Sequence, residues 1–196
     1  MPLPLDAYSD APDEALLKLF ANGDRMAARV LTARLAPRVM NQAFRMLSDR
    51  NEAEDVVQEA MLRLWKQAPD WRQGEAKIST WLYQVTGNLC TDRLRKRKPQ
   101  TELEAVPEPE DDTPGVEAGM QQQARSAALQ LALNKLPKRQ RQAVVLRHLE
   151  DLSNPEIAEI LGVGVEATES LIARGKRALK GLLSNRKAEL GYEDER

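Results

Sequence analysis

The 196-residue chain carries 29 Lys and Arg against 30 Asp and Glu, and is 42% hydrophobic but only 4% aromatic. That length suits one large domain or two small ones, and the scarcity of aromatics and of long β-branched runs argues against a β-sandwich or a large sheet. A single cysteine, Cys90, excludes an internal disulfide, no apolar run nears the roughly 20 residues of a membrane span, and the opening MPLPLDAYSDAPDE lacks the basic-then-apolar order of a signal peptide, so a cytoplasmic, all-α protein is expected.

The first predicted helix is DEALLKLFANGD, with Leu16, Leu17 and Phe20 on one face, Pro12 near its start and Gly23 near its end. Arg25 to Leu47 continues with helical periodicity, which Pro37 should kink or break. NEAEDVVQEAMLRLWKQA is clearer. Val57, Ala60, Met61, Leu64 and Trp65 form one apolar stripe, and Glu52, Glu54 and Asp55 fill the first turn, where carboxylates complement the helix dipole. Leu62 lies off the stripe among Asp55, Gln58, Glu59, Arg63 and Lys66. One exposed leucine is ordinarily without meaning, but a leucine ringed by acidic groups can also belong to a docking patch.

The next helix, STWLYQVTGNLCTDRLRKRK, has Ser79 as a cap and Leu82, Val85, Leu89 and Cys90 as its buried stripe. Trp81, Asn88, Asp92, Arg93, Arg95, Lys96 and Arg97 are left for other faces. Aromatic groups at one end and a basic tail at the other suit single-stranded nucleic acid, where rings stack on bases and cations hold the backbone. Gly87, costly in a helix interior by about 1 kcal/mol, points to close packing or close backbone approach.

Net charge is only -1, yet it is segregated. The basic run RLRKRK is followed by PQTELEAVPEPEDDTPGVEA, which holds seven acidic side chains and no basic one. Basic residues return in NKLPKRQRQAVVLRH and ARGKRALKGLLSNRK. Affinity for phosphate follows the local field rather than the whole-chain sum. Residues 99–119, with four prolines, two glycines and no apolar period, read as a linker between domains at 1–98 and 120–196. Its charge either keeps the tether extended or serves a basic channel in a partner.

SNPEIAEILGVGVEATESL reads as a helix-turn-helix. Ser153 and Glu156 form a capping box, Pro155 sits in the first turn, Ile157, Ala158 and Leu161 face inward, and Gly162 takes the left-handed position. The second helix should bury Ala167, Leu171, Ala178 and Leu182. Its outer face carries Glu166, Glu169, Ser170, Ala173, Arg174, Lys176 and Arg177, with the acidic pair at the end that would enter a groove. Either those carboxylates serve the helix dipole, or Glu169 accepts a hydrogen bond from a cytosine amino group. Arg174, Lys176 and Arg177 can meet phosphate, as can Lys138, Arg139 and Arg141 upstream. A helical hairpin for protein contacts is the competing use.

Three stretches in this order, AEDVVQEAMLRLW, TWLYQVTGNLCTDRLRKRK and ALNKLPKRQRQAVVLRHLEDLSNPEIAEILGVGVEATESLIARGKRAL, resemble the extracytoplasmic-function sigma factors of bacterial RNA polymerase, from Ala15 to Leu183. The resemblance implies an alternative sigma factor, not an enzyme and with no cofactor or metal, whose partners are core RNA polymerase, promoter DNA and an anti-sigma factor. It implies polymerase docking by Glu54, Asp55, Gln58, Glu59 and Leu62. It assigns capture and melting of the minus-ten element to Trp81, Asn88, Asp92, Arg93, Arg95, Lys96 and Arg97. Reading of the minus-thirty-five element falls to Arg139, Arg141, Glu169, Ser170, Ala173, Arg174 and Arg177. Two departures stand out: Ala167-Thr168-Glu169-Ser170-Leu171 replaces the family's frequent Thr-Val-Lys-Ser-Arg, and Ile78 replaces a common aromatic.

Other classes fit less well. The lone His148 and Cys90 fall in different domains, without a glycine-rich phosphate loop or metal-ligand spacing, so both read as structural rather than catalytic. A stand-alone helix-turn-helix regulator would bind promoters tightly without polymerase, and a helical adaptor would leave the aromatic-basic helix unused.

Overall fold

In the computed structural model of the protein, the described residues are 8, 10–72, 74, 77–97 and 116–184, with side chains of the last stretch described from residue 122. They form eight α-helices, one 3-10 turn and no strand. Helix α1 (Asp13–Ala21) starts behind Pro12 and buries Leu16 and Leu17. Phe20 meets Trp65 at a centroid distance of 4.7 Å.

Helix α2 (Arg25–Leu47) is N-capped by Asp24, whose carboxylate accepts from the amides of Met26 and Ala27. It continues through Pro37 without the break that was one of the two outcomes expected there. The ring lies on the exposed side, where the carbonyl that loses its partner is open to water. Meanwhile Leu31, Leu35, Val39, Ala43 and Met46 hold the opposite side in the interior. Ser48 ends the helix in the left-handed region, at φ 57°.

Helix α3 (Arg50–Gln67) is capped by Asp49, which accepts from the Glu52 amide. Its buried stripe is Ala53, Val56, Ala60, Met61 and Leu64. The expected stripe is therefore rotated slightly: Val56 is fully buried, while Val57 and Trp65 are at its margin. A 3-10 turn, Ala68–Asp70, leads toward α4 (Ile78–Lys96). Lys77, not Ser79, occupies the N-cap of α4, and no side chain caps it. Helices α1 to α4 pack as one bundle around α2.

Helix α5 (Val116–Asn134) starts inside the stretch expected to be linker; the remainder of that reading, residues 99–115, lies outside the described residues. Helix α6 (Lys138–His148) follows Pro137. Helix α7 (Asn154–Leu161) bears the full capping box between Ser153 and Glu156, and Gly162 ends it at φ 62°. The turn to α8 (Val165–Ser184) is three residues long.

The buried positions of α8 are Thr168 and Gly175, not the expected Ala167, Leu171, Ala178 and Leu182. Ala167 is exposed and the other three are half-buried. The reason is close crossing. A Cβ on Gly175 would stand 2.5 Å from Val144 Cγ2, so α8 rests on α6 at a glycine. Thr168 tolerates burial because its hydroxyl donates to the Gly164 carbonyl at 3.1 Å.

Candidate functional surfaces

The outer face of α3 is as the periodicity places it. Glu54, Asp55 and Gln58 are exposed, Glu59 partly so, and Leu62 is 53% exposed. Glu54 pairs with Arg50 at 3.2 Å and Glu59 with Arg63 at 2.8 Å, each one helical turn apart. Solvated pairs of this kind contribute little to stability, so these carboxylates remain available to a partner. An apolar side chain within a charged ring is the usual form of a docking anchor.

Helix α4 presents two different sides. Asn88, Asp92, Arg95, Lys96 and Arg97 are exposed. Arg93 lies 3.4 Å from Asp55, and Arg97 lies 2.9 Å from Glu52 while also donating to the Leu47 carbonyl. The acidic start of α3 and the basic tail of α4 thus adjoin. Trp81 is half-buried and meets Trp71 edge-on at 5.8 Å, which fixes its ring.

The other side of α4 departs from expectation. Tyr83, grouped by sequence with the exposed aromatic end, is 3% exposed and packs with Leu146, Ile157 and Ile160 of the C-terminal helices. Gly87 has the close neighbour its position implied: the Gln142 amide lies 2.0 Å from where a Cβ would stand. Cys90 is fully buried, and burial pushes its thiol up to about 12, which makes it unreactive as well as structural.

On the C-terminal helices, Glu166, Glu169, Ser170, Ala173, Arg174, Lys176 and Arg177 line one exposed face of α8. Glu169 accepts from Asn154 Nδ2 at 3.2 Å, so its carboxylate is steered toward the start of α7. Arg139 is exposed at the start of α6. Arg141 is a correction. It is 7% exposed, its guanidinium donates to the carbonyls of Met46 and Asn134, and burial lowers its pKa to about 10. In this arrangement it is an interior group and touches no open surface. Among the described residues no cluster of His, Cys, Asp or Glu is arranged to hold a metal, and no helix is long and apolar enough to cross a membrane.

Residues 31–100 match the family described as Sigma-70 region 2, and residues 126–179 match Sigma-70, region 4. In that order, they define the class of sigma-70-type initiation factors. The chain is 34% identical over 176 residues to the ECF RNA polymerase sigma factor SigE of Mycolicibacterium smegmatis, covering 86% of this chain and 67% of that one. It is 31% identical over 181 residues to the ECF RNA polymerase sigma factor SigW of Bacillus subtilis, covering 84% and 92%. The structure of CnrH in complex with the cytosolic domain of CnrY matches with a TM-score of 0.68 at 26% identity, over 88% of this chain and 97% of that one. The chain belongs to the extracytoplasmic-function sigma factors, alternative sigma factors that direct RNA polymerase to promoters. The stand-alone regulator finds no support in these likenesses.

Proposed function

We propose the following division of labour within that function. The exposed face of α3, with Leu62 at its centre, docks on core RNA polymerase. The open side of α4 captures the minus-ten element: Trp81 and Asn88 receive an unstacked base, while Arg93, Arg95, Lys96 and Arg97 follow the strand. Unstacking a base costs a few kcal/mol, and a rigid helix with its tryptophan already held by Trp71 avoids a further ordering cost. The exposed face of α8 reads the minus-thirty-five element, with Arg174, Lys176 and Arg177 on phosphate and Glu169 and Ser170 nearest the bases. Arg139 adds a phosphate contact from α6.

The observation that carries this reading is the separation of faces within one bundle. Leu62 and Asn88 are both open, on different helices that share a single interior. One module can therefore hold polymerase and DNA together. The protein acts by binding alone, in the cytoplasm where polymerase and promoter meet, and an anti-sigma factor is its remaining partner. CnrH, captured with the cytosolic domain of a second protein, supports that last assignment.

Run-off transcription with purified core polymerase on a promoter library tests the reading. Initiation at a shared pair of sequence elements is the expected result. Equal promoter binding with and without polymerase would overturn it.

A further inference from the structure

The carboxylates on the docking face of α3 are not partnered alike. Glu54 pairs with Arg50 and Glu59 with Arg63, both within the helix. Among the described residues, Asp55 is the docking carboxylate that pairs with another helix: its Oδ2 lies 3.4 Å from Arg93 Nη1 on α4. A residue assigned to polymerase is therefore the counter-ion of one assigned to the promoter strand.

Position on the helix explains the pairing. Trp81, Asn88, Asp92 and Lys96 follow one another by seven, four and four residues, so they share one face of α4. Arg93 comes five residues after Asn88, about 140° further round the axis, and leans toward α3 instead of along the open face. Arg97, one helical turn later, is turned the same way. It is held by two acceptors, the Glu52 carboxylate at 2.9 Å and the Leu47 carbonyl at 3.0 Å. Glu52 stands outside the docking set, so nothing in docking loosens Arg97.

Arg93 is held more lightly. Its partner is one carboxylate, at the longer distance, and the Asp55 side chain is 62% exposed, which leaves it within reach of an incoming group. An ion pair of that exposure shifts an equilibrium by no more than about fivefold. A cation on a docking partner can therefore displace it. Asp55 and a phosphate also compete for the same guanidinium, because both offer oxygens to its planar N–H donors.

We propose that Asp55 couples the two surfaces: it masks Arg93 in the free protein, and core polymerase, by taking the Asp55 carboxylate for itself, releases Arg93 to the phosphates of the captured strand. The proposal deepens the functional reading above and rests on it. Such coupling is reciprocal, so a bound strand that occupies Arg93 strengthens docking by the same factor. It also fades as salt screens the exposed pair.

A double-mutant cycle in the full chain tests it. Arg93→Gln leaves Asp55 without a competitor, so at low salt it should tighten binding to core polymerase about two- to fivefold. In an Asp55→Asn background the same change should have no effect. That comparison isolates the pair from the general effect of losing a positive charge, which would persist without Asp55. A second arm omits polymerase. Asp55→Asn should raise the affinity of the free protein for a labelled oligothymidine and steepen its log–log salt dependence by about 0.7, the mark of one added phosphate contact on a single strand. In an Arg93→Gln background Asp55→Asn should leave that slope unchanged. Both side chains lie at the surface, so all the variants should keep the helical content of the wild type by circular dichroism. Core binding unaltered by Arg93→Gln, or tightened equally in the Asp55→Asn background, overturns the coupling, and so does a salt slope indifferent to Asp55. Should Asp55→Asn bind core polymerase as the wild type does, the docking assignment falls instead, while the oligothymidine titration still decides the masking.

Discussion

At the scale of single residues, exposure separates function from folding. Leu62 contributes almost nothing to the interior, so Leu62→Asp should shift unfolding free energy by no more than about 0.5 kcal/mol. It should nevertheless weaken binding to core polymerase, as measured by titration of labelled protein. Asn88 is likewise open to solvent. Asn88→Ala should leave polymerase binding intact and cut open-complex formation about tenfold, read by permanganate reactivity of the melted strand, if it supplies a contact of about 1–3 kcal/mol. For Glu169 the expected readout is preference rather than affinity. Glu169→Lys frees Asn154 and presents a donor in place of an acceptor, so selection from randomised minus-thirty-five sequences should return a different base. An unchanged preference would assign that carboxylate to the helix dipole.

Exposure was legible in the sequence where a side chain's surroundings lie on its own helix. Leu62, Asn88, Ser170 and Arg174 are on the open faces their helical positions imply. Arg141 and Tyr83 were misplaced for one shared reason. Each is buried by a partner from the other half of the chain, and helical periodicity contains no record of such a partner. Gly87 was the available signal. A glycine inside a helix asks what comes close, and the answer was Gln142.

At the scale of elements, end signals were legible where they are chemical. Ser153, Glu156 and Gly162 define the limits of α7 as read. Ser79 misled because a serine near a helix start is compatible with several registers, and Lys77 took the cap without a side-chain bond. The stripes of α3 and α8 were each off by about one position, since a window of apolar residues fixes a face only to within the breadth of that face. In α8 the deciding residues were Thr168 and Gly175, small groups that hydrophobic counting passes over. Glu156 links α7 to the other half of the molecule. Its hydrogen bond from Lys77, then those from Ser153, hold its carboxyl down to about 2 from an ordinary value of 4.5. A depressed carboxyl stabilises the fold above its unfolded pKa, and that contribution is lost as pH falls through the folded one. Thermal stability should therefore decline between about pH 4.5 and 2, and Glu156→Gln should flatten that part of the profile in a series of melting curves.

At the scale of the whole molecule, the packing of the halves against each other couples two helical units that each have their own interior. Wild-type protein should unfold in one calorimetric transition, because Tyr83 ties the interior of one unit to the other. A Gln130→Ala/Glu150→Ala variant should resolve into two. Two helical halves were readable from composition and periodicity, since each carries its own apolar stripes. Their mutual seating was not, because it depends on polar groups such as Gln130, Glu150 and Asn41 that look like ordinary surface residues in a linear chain.

The burial of Cys90 has a practical side. It is the sole native thiol, enclosed between α2, α3 and α4 and with a pKa near 12. A maleimide or disulfide dye will therefore pass it by while the bundle is intact. Introduced cysteines can be labelled without first removing it, and its own slow modification becomes an internal clock for how often the N-terminal bundle unfolds.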